Sequence, residues 1–140
     1  MPLSPALRSF VYERARGCCE YCRSQAEYAT QSFQIEHIMP RSLGGSDEPD
    51  NLALSCPGCN AHKYNKITGM DPLNRAYVLL FNPRQDKWSE HFAWSPDTRE
   101  IMGLTLIGRA TERELKLNRK PLTKLRKVLF EAGEHPPPED

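Results

Sequence analysis

No stretch of the 140-residue sequence approaches the roughly 20 consecutive apolar residues that a membrane-spanning helix needs. The first residues, MPLSPALRSFVYERARG, also lack the apolar segment of an export signal. We therefore expect a cytoplasmic protein with no membrane partner. Disulfides are not expected either, because the cytoplasm keeps thiols reduced. A chain of this length is expected to form a single domain over residues 1–140.

The sequence also has little net charge, +1 at neutral pH, but its charges are unevenly distributed. Residues 23–58 contain two basic and five acidic side chains, whereas residues 60–127 contain fourteen basic and seven acidic ones. A basic second half indicates a polyanionic partner such as nucleic acid. The alternative is that these side chains only form solvated helix faces.

Cysteine, by contrast, occurs five times. Four of the five form two C-x2-C pairs, Cys19 with Cys22 and Cys56 with Cys59. Two such pairs are typical of a tetrahedral zinc site in which each pair forms one knuckle. Four thiolate ligands leave no open position for a reacting water, so we expect structural Zn²⁺. The alternatives are four buried small hydrophobic residues, or Cys18 in place of Cys19, which would lengthen the knuckle by one residue.

The chain begins with a segment typical of a helix, over residues 4–16. Ser4 is placed to cap its beginning, and Gly17 would end it. Phe10 and Val11 belong to an apolar stripe on this helix. We expect the stripe to pack against the first cysteine knuckle.

The rest of the chain predicts short strands and three more helices. Between the knuckles, SFQIEHI and LALS predict two strands, and a short helix follows from about residue 57 to 66. The segments AYVLLFNP, KWSEHFAWS and EIMGLTLIG predict a small β-meander, with Trp88, Phe92 and Trp94 on one strand face. Two basic helices then precede HPPPED, which is predicted to be a frayed tail.

Glu36 and His37 lie side by side where the first predicted strand gives way to a loop. Taken alone, they would be read as a surface pair flanking a strand. Neighbouring side chains on a strand point to opposite faces, so both reach one site only if the strand is distorted near the loop.

The residues from Cys19 to Lys63 resemble the zinc-containing branch of the HNH endonucleases, also known as ββα-metal or His-Me finger nucleases. The shared pattern is C-E-Y-C…I-E-H-I-x-P-R-S-x-G-G…D-N-L-x-L-x-C-x-x-C-N-x-x-K. More loosely, FNPRQDKWSEHFAWS to GRATERELKLNR resembles the C-terminal extension of small bacterial HNH proteins. The resemblance implies an α+β fold: a zinc-stabilised ββα-metal core over residues 17–67, with an N-terminal helix, and an extension over residues 74–132.

The resemblance also implies roles for individual residues. His37 would be the general base that deprotonates an attacking water, a task that suits an imidazole near neutral pH. Glu36 and Asn60 would hold a catalytic Mg²⁺ or Mn²⁺, because both offer hard oxygen atoms. Many relatives have a histidine where this chain has Asn60. Asn51 would fix the loop or orient His37 through its amide.

We therefore expect a divalent-metal-dependent endonuclease that acts on DNA, most simply double-stranded DNA. Arg41 and Lys63 are candidate phosphate contacts, although Lys63 would also suit an exposed polar helix face. The alternative function is a non-catalytic zinc module that binds nucleic acid. Such a module has no need of a base beside a metal site, so the pattern favours the nuclease. Sequence preference, nicking versus double-strand cleavage, biological role and oligomeric state stay open.

Overall fold

The computed structural model describes residues 2–139 and contains, within them, five α-helices and six short strands. The helices are α1 (Pro5–Arg14), α2 (Pro57–Lys63), α3 (Trp88–His91), α4 (Leu106–Leu115) and α5 (Lys120–Glu131). The strands are β1 (Gln34–His37), β2 (Leu52–Ser55), β3 (Thr68–Met70), β4 (Tyr77–Leu79), β5 (Phe92–Trp94) and β6 (Ile101–Gly103). The fold is α+β, as expected. Among the described residues, no helix is both long enough and apolar enough to cross a membrane.

Helix α1 begins where the sequence predicts but ends at Arg14, two residues before the predicted end at residue 16. The Ser4 hydroxyl accepts a hydrogen bond from the backbone N–H of Leu7, at 3.1 Å, and so satisfies one free donor of the first turn. Gly17 has a φ of +69°, a left-handed conformation that favours glycine after a helix end.

The packing of α1 differs from the prediction. Val11 is fully buried, but it lies against Leu52 and Leu54 of β2 and not against a cysteine knuckle. Phe10, predicted to face inward, is 50% exposed. The reason is that Leu52 and Leu54 share one face of β2, which presents a longer apolar surface than the knuckle does.

Strands β1 and β2 form an antiparallel hairpin that carries the central part of the molecule. The register pairs Gln34 with Ser55 and His37 with Leu52. All four residues of β2 are buried, because one face packs on α1 and the other, through Ala53, lies in the cysteine-containing core. Helix α2 follows β2 directly and packs back on β1, which completes a ββα unit.

The predicted meander is wrong in its pairing. Strand β4 pairs with β3, and β5 pairs with β6, so the described residues contain three separate two-stranded sheets. Strand β3 escaped prediction because it has only three residues with a glycine in the middle. The segment KWSEHFAWS is not a single strand either: Trp88 lies in the short helix α3.

Aromatic packing explains why Trp88 is helical. Its ring lies 5.1 Å from that of Phe92 and 5.6 Å from that of Trp94, and its indole N–H donates to the Tyr21 carbonyl at 3.0 Å. Trp88 is therefore buried in one core together with the four paired cysteines. The C-terminal extension packs on the zinc knuckles by means of this core.

Much of the positive charge in the second half is used inside the protein. Arg84 forms an ion pair with Glu20, and Arg109 forms a two-point ion pair with Asp71, with both contacts under 3 Å. Arg126 is buried and donates to backbone carbonyls and to Asn118. The basic composition therefore overstates the charge available to an external polyanion.

Residues 135–137 of the predicted tail are not frayed, and residue 140 lies outside the described residues. His135 is buried, its ring lies 4.6 Å from the ring of Trp94, and its Nε2 is 2.8 Å from the Thr98 carbonyl. Pro137 is buried as well. The prediction failed because it relied on the proline-rich composition, which gives no sign that His135 and Pro137 pack on the core.

Candidate nuclease site and metal centre

The ββα unit carries two candidate sites, and the first is the cysteine cluster. The sulfur atoms of Cys19, Cys22, Cys56 and Cys59 all lie within 4.8 Å of one another, and all four residues are buried. Each C-x2-C pair contributes one turn, and the Cys56 thiol accepts a hydrogen bond from the Cys59 N–H. Cys18 lies outside this group, beside the Arg16 carbonyl. The structure thus confirms Cys19 as the ligand candidate.

The chemistry of the cluster fits zinc. Burial raises the pKa of the Cys19 thiol, whereas hydrogen bonds from Cys19, Cys22 and Cys59 lower the pKa of Cys56. Several thiolates cannot share a buried space without a cation to compensate their charge. Four converging sulfur ligands select a soft, tetrahedral ion, which is the coordination that structural zinc adopts.

Arg119 adds a positive charge to this cluster from the far end of the chain. Its guanidinium lies 3.6 Å from the Cys59 sulfur and 3.4 Å from the Cys56 sulfur. Gly58 makes room for it: a Cβ there would lie 2.3 Å from the Arg119 Nη2. The N-cap of α5 is therefore joined directly to the second knuckle.

The second site begins at Glu36, in the middle of β1. Its side chain is buried; Oε2 accepts a hydrogen bond from the Tyr21 hydroxyl at 2.5 Å, and Oε1 lies 2.5 Å from the Lys63 ammonium. Burial raises the pKa of Glu36, and Lys63 and Tyr21 partly offset that effect by stabilising the carboxylate. Oε1 has this ion-pair contact but no aligned hydrogen bond.

His37, the next residue, points towards the loop. Its Nε2 lies 2.7 Å from Oδ1 of Asp47, and the same Oδ1 accepts from Arg41 Nε at 2.9 Å. The hydrogen bond from Arg41 lowers the pKa of Asp47 most, and the hydrogen bond from His37 lowers it further. The ordinary alternation of a strand therefore holds at this pair, and the distortion expected to turn both side chains towards one site is absent. Asp47, a loop residue, meets the histidine instead.

Asn51 holds the loop that carries Asp47. Its Oδ1 accepts from the Met39 N–H at 2.8 Å, and its Nδ2 donates to the Met39 and Ser46 carbonyls. Gly45 allows the same close approach, because a Cβ there would lie 1.7 Å from the Met39 carbonyl oxygen. Of the two roles that the sequence left open for Asn51, the hydrogen bonds support loop fixation.

Asn60, on α2, reaches the same face of β1 as Glu36. Its amide donates to the side-chain carbonyl of Gln34, which lies two residues before Glu36 and therefore on the same strand face. The donor chemistry fits a hard divalent cation: a carboxylate oxygen, which the Lys63 ammonium contacts here, and an amide oxygen on the facing helix. The metal assignment itself stays a prediction.

Lys63 is not on an exposed helix face. It is buried, and besides Glu36 it contacts the Ile38 carbonyl at 3.0 Å. Its ammonium does not reach the surface, so the prediction that Lys63 contacts a phosphate is wrong for this arrangement. The one-turn spacing from Asn60 places it against β1, where an acidic residue already lies.

The comparisons with known proteins bear on this geometry. Residues 19–66 match the family model described as HNH endonuclease. Residues 19–66 are therefore similar to the HNH endonucleases. This segment contains the four cysteines, β1, β2 and α2. The HNH match supports a nuclease that acts on nucleic acid.

One curated relative matches a longer stretch. It is the type IV methyl-directed restriction enzyme EcoKMcrA of Escherichia coli K12, 24% identical over 80 residues. The aligned region covers 54% of this chain but only 29% of the relative. The chain thus matches less than a third of that enzyme, whose activity as a whole is not transferred to it.

Sequence reasoning missed the partners of the HNH residues. Asp47, Tyr21, Gln34 and Arg119 each contact a predicted site residue, and none was identified from the sequence. For Asp47 a signal existed, because it is an acidic residue in a glycine-rich loop after the histidine. The other three come from distant segments and carry no local pattern.

Proposed function

We propose that this protein is a divalent-metal-dependent DNA endonuclease in which His37 is the general base. The observation that carries the proposal is the hydrogen bond between His37 and Asp47, within a segment similar to the HNH endonucleases. A histidine held by a carboxylate is an arrangement suited to proton transfer, because the carboxylate fixes both the ring orientation and its tautomer.

The direction of that hydrogen bond identifies the basic nitrogen. The Asp47 carboxylate can only accept, so Nε2 of His37 carries the proton and Nδ1 is the nitrogen with a free lone pair. Nδ1 would then remove the proton from the attacking water. Asp47 would stabilise the positive ring that results, and Arg41 would balance the charge of Asp47 and contact a phosphate.

Glu36 and Asn60 would hold the Mg²⁺ or Mn²⁺. The ion would neutralise the negative charge that develops on the phosphate and the leaving oxygen. Tyr21 keeps the Glu36 carboxylate oriented by its hydrogen bond to Oε2. Asn51 would act indirectly, by holding the loop so that Asp47 stays beside the histidine.

DNA is proposed as the substrate from two observations. The matched relative is named as a restriction enzyme. Residues 60–127 have more basic than acidic side chains, and Lys116, Lys120 and Lys124 are exposed. Double-stranded DNA is the simplest substrate for such a surface, since phosphate contacts supply most of the affinity.

The test is cleavage of supercoiled plasmid DNA with Mg²⁺ or Mn²⁺, against EDTA. We expect nicked or linear product with metal, none with EDTA, and far less from His37→Ala in the same time. His62→Ala is the matched control and should cleave normally, because His62 lies near the basic side chains Lys66, Lys116 and Arg119 and not beside Glu36 or His37. Binding of DNA without cleavage under every metal and salt condition would instead support a non-catalytic zinc module.

A further inference from the structure

Lys63 places a buried positive charge at the carboxylate that is proposed to bind the catalytic metal. Its side chain is 2% exposed and that of Glu36 is 3% exposed. The ammonium lies 2.5 Å from Oε1 of Glu36 and 3.0 Å from the Ile38 carbonyl. The oxygen with no aligned hydrogen bond is therefore the one that the ammonium contacts.

Electrostatics favours a cation at this position. A buried carboxylate is costly unless a positive charge or several hydrogen-bond donors compensate it. Tyr21 supplies one hydrogen bond to Oε2, and Lys63 supplies the charge at Oε1. An ammonium and a divalent ion can each compensate the negative charge of Glu36. Either one at Oε1 therefore makes the other unnecessary there.

We propose that Lys63 is an internal competitor for the metal: its ammonium holds Glu36 in the metal-free protein and leaves Oε1 when a divalent ion binds. The proposal rests on the proposed function, because it assumes that Glu36 is a metal ligand. Lys63 is then a positioning residue that sets how much metal the protein needs. It also keeps Glu36 in place before metal arrives.

Lys66 offers a contrast on the same stretch of chain. Its side chain is 45% exposed, and its ammonium lies 3.2 Å from Glu114, on the surface. Removing that charge leaves no buried carboxylate without a partner. Lys66→Gln is therefore the matched control for Lys63→Gln, with the same change in net charge and with no contact to Glu36.

The experiment measures Mn²⁺ binding to zinc-loaded, DNA-free protein by electron paramagnetic resonance. Wild type, Lys63→Gln, Lys66→Gln and Glu36→Gln are titrated in parallel, and zinc content and thermal denaturation confirm that each is folded. We expect Lys63→Gln to bind Mn²⁺ at least about tenfold tighter than wild type, because the ion no longer displaces a buried charge. Lys66→Gln should match wild type, and Glu36→Gln should lose the site.

Two failures are distinguishable. Equal or weaker Mn²⁺ binding by Lys63→Gln, with a site that still depends on Glu36, would overturn the competition. If no variant shows binding that depends on Glu36, the proposed metal site itself is wrong. If Lys63→Gln does not fold, the side-chain ¹⁵N signal of Lys63 in wild type replaces it: a shift on titration with Mg²⁺ supports the proposal, and an unmoved signal overturns it.

Discussion

The cysteine cluster and the Glu36–His37 site use the same hairpin in opposite ways. The cluster gathers four identical ligands from two short turns, all buried and all directed to one point. The second site places two adjacent residues on different sides of β1, one in the core with Lys63 and one in the loop with Asp47. The first has the geometry of a structural scaffold. The second has that of a chemical site, with Glu36 buried and His37 open to solvent on one side.

This difference explains why the two sites should respond differently to mutation. One zinc ion would be held by all four cysteines, so the loss of any one ligand should affect the folding of the whole domain. The His37 side is partly exposed, with Asp47 at 46% side-chain exposure, so its changes should leave the fold intact and alter chemistry. The predictions below test this separation, beginning with the largest effect.

Removing one zinc ligand should abolish folding. Cys56→Ser is expected to lose zinc and to lose its cooperative thermal transition, because site and fold form together. Zinc analysis and circular dichroism check this. Cys18→Ser is the control and should keep one zinc per chain. A folded, zinc-free Cys56→Ser protein would show that the cluster is not the scaffold.

Asp47→Asn should lower the single-turnover cleavage rate by about tenfold or more, because an amide does not fix the tautomer of His37 as a carboxylate does. Zinc content and thermal stability should stay unchanged, as the pair is near the surface. Glu48→Gln, the neighbouring exposed acid, is the control. An unaltered rate in Asp47→Asn would remove Asp47 from the site.

Arg119→Gln should release zinc to a chelator several-fold faster than wild type. The guanidinium lies beside two of the four sulfurs, so its loss leaves their negative charge less compensated. Arg113→Gln, which removes a surface charge from α4, should release zinc at the wild-type rate. Equal rates for both variants would assign Arg119 a packing role only.

The smallest expected effect is on stability and concerns Asp71. This buried carboxylate, unlike Glu36, has an arginine, Arg109, as its ion-pair partner. Arg109 holds the pKa of Asp71 at about 2, below the value of about 3.9 in an unfolded chain. The pair therefore stabilises the fold above pH 4, and this contribution is lost as the pH falls from 4 towards 2. Thermal denaturation should show Asp71→Asn less stable than wild type at neutral pH, with a gap that narrows in acid. A gap independent of pH would contradict the ion-pair account.

The parts of this fold that were predictable are those encoded by short spacings. The two C-x2-C pairs predicted the cluster of four cysteines, Ser4 marked the start of α1, and alternating residues predicted β1. Local spacing suffices in these cases because each contact joins residues a few positions apart.

What was not predictable depends on partners far apart in sequence. Lys63 was expected on the surface, and only the packing of α2 on β1 shows that it meets Glu36. Trp88 was predicted in a strand, and its burial against Phe92 and Tyr21 decides otherwise. A single sequence carries no signal for such long-range pairs, since many arrangements would satisfy the same local pattern.

The central claim is that His37 performs the chemistry while the cysteines and Glu36 support it. The most direct test is the single-turnover cleavage rate of folded, zinc-loaded His37→Ala at saturating DNA and metal. We predict a rate lower by about 10²-fold or more, the usual contribution of a general base, with DNA affinity and zinc content unchanged. A rate close to that of wild type would show that His37 is not the base and would contradict the account.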